Sequence, residues 1–257
     1  MSPVHHSGCP RSRSEIVEKL RRLLPRLEGL SAGTRVFSFG LPALDTHLPQ
    51  SGLVAGALHE IAPQAPGDTP AAFGFLAGLL TLLPPDRPVL LVGGIADHGR
   101  VCGHGLQNFG VDPARLILVE TKNDKQALWA FEEALRSRIP AAVAGMIDKL
   151  ALKMSQRLHL AAGDAGLPLL LLRPAKADEA SAAATRWRVG SAEAARDRFG
   201  LIAGSRWEVS LERCRNGRSG EWLVEFDHGA HRFSLAAPLA DSALPHRGAA
   251  PRIRHAG

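Results

Sequence analysis

Residues 58–69 have the layout of a phosphate-binding loop. Such a loop needs a strand, then Gly-x-x-x-x-Gly-Lys-[Ser/Thr], then a helix whose first N–H groups face the anion. Here Ala62 stands at the first glycine and Gly67 keeps the second, while Asp68 replaces the lysine and Thr69 keeps the hydroxyl. A carboxylate about 4 Å from a phosphate repels it by roughly 1 to 4 kcal/mol, and the lysine's attraction is lost as well. The shape of a nucleotide loop is expected without its chemistry, so no cofactor is expected and ATP with Mg²⁺ is disfavoured. The alternative for the same residues is an ordinary polar loop between a strand and a helix.

Arg186, Trp187 and Arg188 form a second candidate. Arginines flanking an aromatic can neutralise phosphates while the indole stacks on a base. Equally, Trp187 can anchor its segment to the core and leave the arginines solvated. Arg206, Arg213, Arg215 and Arg218 cluster near Glu208 and Glu212, which reads first as a salt-bridged strand face and second as a partner surface. Asp97, His98, Cys102 and His104 are all metal-ligating types, but their spacing matches no standard zinc site and glycines intervene. No metal is expected. No nucleophile–base motif or carboxylate pair stands out either, which points away from an enzyme.

The chain that must position these residues has 257 residues and a net charge of +6, with a pI near 9.8. Its mildly basic balance suits nucleic acid or an acidic protein partner. Three scattered cysteines fit no disulfide framework, so a reducing cytoplasm is expected. The longest apolar stretch, 71–83, is too short to span a bilayer, and no membrane partner is expected.

Three regions are expected: a disordered N-terminus plus basic amphipathic helix over 1–33, a core over 34–236, and a flexible basic tail over 237–257. In the first, Ile16, Val17, Leu20, Leu23, Leu24 and Leu27 follow helical spacing. In the core, Leu41 to Asp45 predicts a short helix and 53–61 a strand entering the loop. Helices are expected over 71–83, from an Asn123 cap, and over 150–162. Apolar strands are expected over 88–92, 115–120, 141–147 and 168–172. Such alternation implies a parallel sheet covered on both faces. The stretch from Arg173 to Ser205 reads as partly a mobile loop, and 206–214, 221–226 and 231–235 as an antiparallel meander.

This order resembles the RecA recombinase core. Phe39 to Asp45 is similar to that family's Gly-x-x-x-Leu-Asp segment, and Gly52 to Ile61 to its Gly-Leu-x-x-Gly-x-x-x-Glu-Ile strand entry. The fold implied is α/β: a RecA-like P-loop-type core with a mostly parallel sheet, helices on both faces and a C-terminal antiparallel meander. The family's catalytic glutamate has no counterpart near Gly94 and Ile95. Its magnesium-holding aspartate falls at Asp148, which is read as that remnant or as a cap for the following helix. Arg186 to Arg188 fall where recombinases carry a DNA-binding loop.

With the eroded loop, the Arg-Trp-Arg segment and the meander, the chain is similar to the ImuA family. The resemblance implies an accessory role in damage-induced translesion synthesis, beside an ImuB-like polymerase homologue and an error-prone replicative-type polymerase. RecA and single-stranded DNA are further candidate partners, and the implied location is cytoplasmic, at the nucleoid on damage. A divergent RecA-like DNA-dependent ATPase and a stress-induced cell-division inhibitor are the alternatives.

Overall fold

The computed structural model of the protein describes residues 35–94, 102–196, 199 and 201–236. The helix expected within 14–27, the tail over 237–257, and Asp97 and His98 all lie outside them. The described chain runs β1 (Val36–Phe37), α1 (Pro42–Asp45), β2 (Leu53–Val54), β3 (Leu58–Pro63), α2 (Thr69–Thr81), β4 (Val89–Gly94) and α3 (Gly103–Asn108). It continues with β5 (Leu116–Thr121), α4 (Asp124–Ser137), β6 (Ala142–Met146), α5 (Leu152–Ala165), β7 (Leu169–Leu172) and β8 (Thr185–Ser191). The end is all β: β9 (Ala195–Arg196), β10 (Ile202–Cys214), β11 (Gly220–Asp227) and β12 (Arg232–Leu235).

One large sheet carries the order β12-β11-β10-β8-β3-β7-β6-β4-β5, with β9 paired to β10. It is parallel from β8 through β5 and antiparallel from β8 through the meander to β12. The protein is therefore α/β, with a mostly parallel sheet and a C-terminal antiparallel meander. The chain moves outward from β3 to β4 and β5, then returns through β6 and β7 to β8. With crossovers of one hand, the outward helix and the returning helices must lie on opposite faces. Accordingly α2 packs into one core cluster, and α4 and α5 into the other. Alternate residues of β4, β6 and β7 feed the two clusters, as with Leu170 and Leu172 against Leu169 and Leu171. That is why these strands read as unbroken apolar runs.

Two local expectations change. The strand expected over 53–61 is broken into β2 and β3, because β2 leaves the main sheet to pair with β1. Within the stretch read as partly a mobile loop, Thr185–Ser191 is a central strand flanked by β3 and β10. Its Thr185, Trp187 and Val189 are buried while the intervening arginines are only partly so. Asn123 does cap α4: its Oδ1 accepts from the Gln126 N–H at 3.0 Å, and the Gln126 Oε1 accepts from Lys122 N–H at 2.9 Å.

The face under α2 is aromatic, with Phe39, Phe75, Trp187, Trp207, Phe226 and Phe233 in mutual ring contact. These rings reach the helix because α2 has glycines where they meet it. A Cβ at Gly78 would lie 2.6 Å from the Phe233 ring, and one at Gly74 2.9 Å from the Trp207 indole. Gly78→Ala is expected to destabilise the protein by about 1 to 3 kcal/mol, despite the better helix propensity of alanine. A urea midpoint equal to or above that of the parent would contradict this packing.

Candidate functional site

The carboxyl ends of β3, β6 and β7 meet the start of α2 around a cavity of about 260 Å³. Crevices for ligands in open α/β sheets form at this end of the strands, where the chain direction across the sheet reverses. Thr69 from α2, Asp148 after β6, and Arg173 and Lys176 after β7 supply the polar lining; Pro63, Pro66, Met146 and Leu172 are among the apolar residues beside them. The structure thus places Thr69 and Asp148 on the same cavity. Lys176, which the sequence reading did not single out, joins them.

Asp68 turns away from this role and closes its own loop. One carboxylate oxygen accepts from the Ala65 N–H and the other from the Ser191 N–H at the end of β8, both at 3.0 Å. Hydrogen bonds from the Ser191 amide and side chain, and then from Ala65, hold its carboxyl below the usual aspartate range. An ionised Asp68 therefore occupies donors at the loop as a built-in anion. Thr69 is likewise engaged locally, its hydroxyl donating to Pro66 O at 3.0 Å. Ala62 is buried in β3, and Gly67 has open space around it, so nothing in the fold demands glycine there.

Asp148 is not the helix cap. The helix begins at Leu152 with Ala151 in the cap position, and the Asp148 and Lys149 N–H groups donate to the Asp124 carboxylate at 3.2 and 2.9 Å. Asp124 thereby fixes the turn that carries Asp148 to the cavity. The Leu44–Asp45 segment is also structural: the Asp45 carboxylate accepts from Phe39 N–H, Leu41 N–H and the Ser38 hydroxyl.

Arg186, Trp187 and Arg188 lie on β8, one sheet position from the loop strand. The Trp187 indole is fully buried and donates to Thr185 Oγ1 at 2.8 Å, so base stacking on it is sterically closed in this fold. Arg186 faces Glu60 across the β3–β8 register and donates to Glu60 Oε2 through Nε at 3.1 Å and Nη2 at 2.9 Å. Arg188 donates to Glu212 on the other neighbouring strand, at 3.0 Å. Both guanidinium groups are committed inside the protein, as are Arg206 to Glu225 and Arg213 to Ser181 O.

Glu60 is the residue that sequence reasoning passed over. It is 1% exposed, accepts from the Ser181 hydroxyl at 2.8 Å, and has Arg173 Nε 3.8 Å away. Arg173 is itself buried, donating to Ile147 O and to Glu179. The signal was present: a carboxylate in a strand that is apolar apart from His59 needs a buried cation. This charge cluster backs directly onto the cavity, because Arg173 belongs to both.

Fold and crevice define an α/β protein with a loop–helix site at the carboxyl edge of a mostly parallel sheet, its loop anchored by a carboxylate in place of a cation. No model of a known protein family matches the chain. It is 34% identical over 237 residues to Protein ImuA of Caulobacter vibrioides strain NA1000 / CB15N, covering 82% of this chain and 95% of that protein; the same figures hold for Protein ImuA of strain ATCC 19089. The chain belongs to the ImuA family.

Proposed function

We propose that this chain is a RecA-like, non-catalytic accessory protein of damage-induced translesion synthesis, working beside an ImuB-like polymerase homologue and an error-prone replicative-type polymerase. Family membership supports the cellular setting. The observation that carries the non-catalytic half is Asp68, whose carboxylate occupies loop donors and sits where a phosphate-binding lysine is needed. Protein contacts carry the role, since Arg186 and Arg188 direct their guanidinium groups into ion pairs rather than toward a nucleic-acid backbone.

Thermal unfolding with and without Mg²⁺–ATP tests the lost pocket. No shift in Tm is expected at millimolar nucleotide. Ligand at a hundredfold over its Kd would add about 2.7 kcal/mol and raise Tm by roughly 5 to 10 °C, which would overturn the proposal. In cells, deletion of the gene is expected to abolish damage-induced mutation, whereas Thr69→Ala and Asp148→Asn are expected to keep its frequency.

A divergent ATPase is the second reading, favoured by one observation: Thr69, Asp148 and Lys176 line the same cavity. In that reading Lys176 supplies from β7's following turn the charge that Asp68 does not. ATP turnover lost in Lys176→Ala selects it over the first.

A further inference from the structure

The face of β10 and β11 turned away from α2 forms an open concavity of about 680 Å³. Strand alternation sends Trp207, Val209 and Leu211 into the aromatic core, which leaves Glu208, Ser210 and Glu212 on this face. From β11, Glu221 stands opposite Ser210 and Leu223 opposite Glu208. Among the described residues Arg188 is the one basic side chain lining the concavity, and it is paired to Glu212. Glu208 and Glu221 have no ion-pair partner among the described residues, and both are exposed. The concavity therefore carries uncompensated negative charge beside the apolar Leu223.

The chain continues from its rim. Ala236, the last described residue, donates its N–H to Leu223 O at 2.9 Å, so the described chain ends beside a residue of the lining. Residues 237–257 carry Arg247, Arg252 and Arg254, with Asp241 their one acid, and apolar Leu239, Leu244 and Ile253 interleaved. The stretch from Ala236 to Arg247 reaches roughly 35 Å when extended, whereas β10 lies about 10 Å from β12, two strand spacings away. Reach, charge and point of departure agree.

We propose that the basic C-terminal tail, residues 237–257, docks on its own chain's acidic sheet face, with arginines at Glu208 and Glu221 and an apolar tail residue at Leu223. Contacts between exposed charges of this kind weaken with ionic strength, since the screening length falls from about 30 Å at 0.01 M to about 3 Å at 1 M.

Limited trypsin digestion of the full chain, read by mass spectrometry at Arg247, Arg252 and Arg254, tests this. Cleavage in the parent is expected to be about tenfold slower at low salt than in a Glu208→Lys/Glu221→Lys variant at the same salt, because cleavage follows the undocked population. Near-UV circular dichroism checks that the variant keeps its fold, and Ser242→Lys, which adds positive charge to the tail and leaves the acidic face intact, serves as a control that stays protected. Equal cleavage of parent and variant overturns the proposal. Protection that grows with protein concentration also overturns it, by assigning the tail to a second copy. Concentration-independent protection, lost in the variant, supports docking within one chain.

Discussion

Glu60→Ala is expected to destabilise the protein by about 3 to 5 kcal/mol, the usual cost of removing one partner from a buried charge cluster. Glu60 and Glu179 balance Arg173 and Arg186, so the cluster is neutral as it stands. Without Glu60, Arg186 keeps the Glu179 carbonyl at 2.8 Å but, among the described residues, no carboxylate within ion-pairing distance, and the Arg173 Nε, which already lacks a hydrogen-bond partner among them, loses the Glu60 carboxylate 3.8 Å away. The excess positive charge then sits in a poorly solvated interior. Replacing both Glu60 and Arg186 with leucine is expected to cost clearly less than the sum of the single changes, because no orphaned charge between β3 and β8 remains. Urea unfolding of Glu60→Ala, of the two leucine single variants and of the leucine double variant checks this. A loss under about 1 kcal/mol for Glu60→Ala, or simple additivity, would mean that water reaches the cluster and screens it. The damage should extend to the cavity, since Arg173 links the cluster to the wall formed by Pro174 to Lys176.

The same cluster shows where sequence reading succeeds and where it stops. Val89 to Val92 and Leu169 to Leu172 were legible as strands because both faces of the central sheet are covered, leaving no polar position to interrupt them. The meander was legible from its alternation and its Asn216-Gly217 and Asp227-His228-Gly229 turns. β8 was not, although Thr185, Trp187 and Val189 alternate as a strand should. Its arginines looked like a solvent or nucleic-acid face because their acidic partners are remote: Glu60 lies 126 residues earlier, and Glu212 arrives only with the next strand of the sheet. The oddity of Asp68 was visible from its position alone, but its anchor, Ser191, is 123 residues on. Local patterning thus gives elements and suspicious charges, whereas the partner of a charge depends on strand order. Lys176 escaped for a related reason, since a lysine in a turn carries no signal until the turn is placed beside Thr69 and Asp148.

Acidification from pH 6.5 to 4 is expected to remove about 3 kcal/mol of stability through His59 alone. His59 is fully buried on β3, with its Nε2 2.9 Å from Val54 O and its Nδ1 2.8 Å from Thr185 Oγ1. A carbonyl can only accept, so Nε2 carries the proton and Nδ1 accepts from the Thr185 hydroxyl, which in turn accepts from the Trp187 indole. Every site of the neutral ring is used, and a second proton on Nδ1 would meet a donor. Burial, with a further push from His159 and only partial opposition from the Val54 hydrogen bond, drives the imidazole from 6.5 down to about 4. Between those values the unfolded chain binds a proton that the folded chain refuses, so stability is full above pH 6.5 and falls with falling pH until the folded ring also titrates. His159 adds in the same direction: burial and the nearby Arg215 lower its pKa, and its Nδ1 accepts the Leu58 N–H at 3.3 Å. The measurement is the pH slope of unfolding free energy in the parent against His59→Gln. Whatever glutamine costs at neutral pH, the variant should lose the proton-linked part of the slope, and parallel curves would show that His59 stays exposed enough to charge in place.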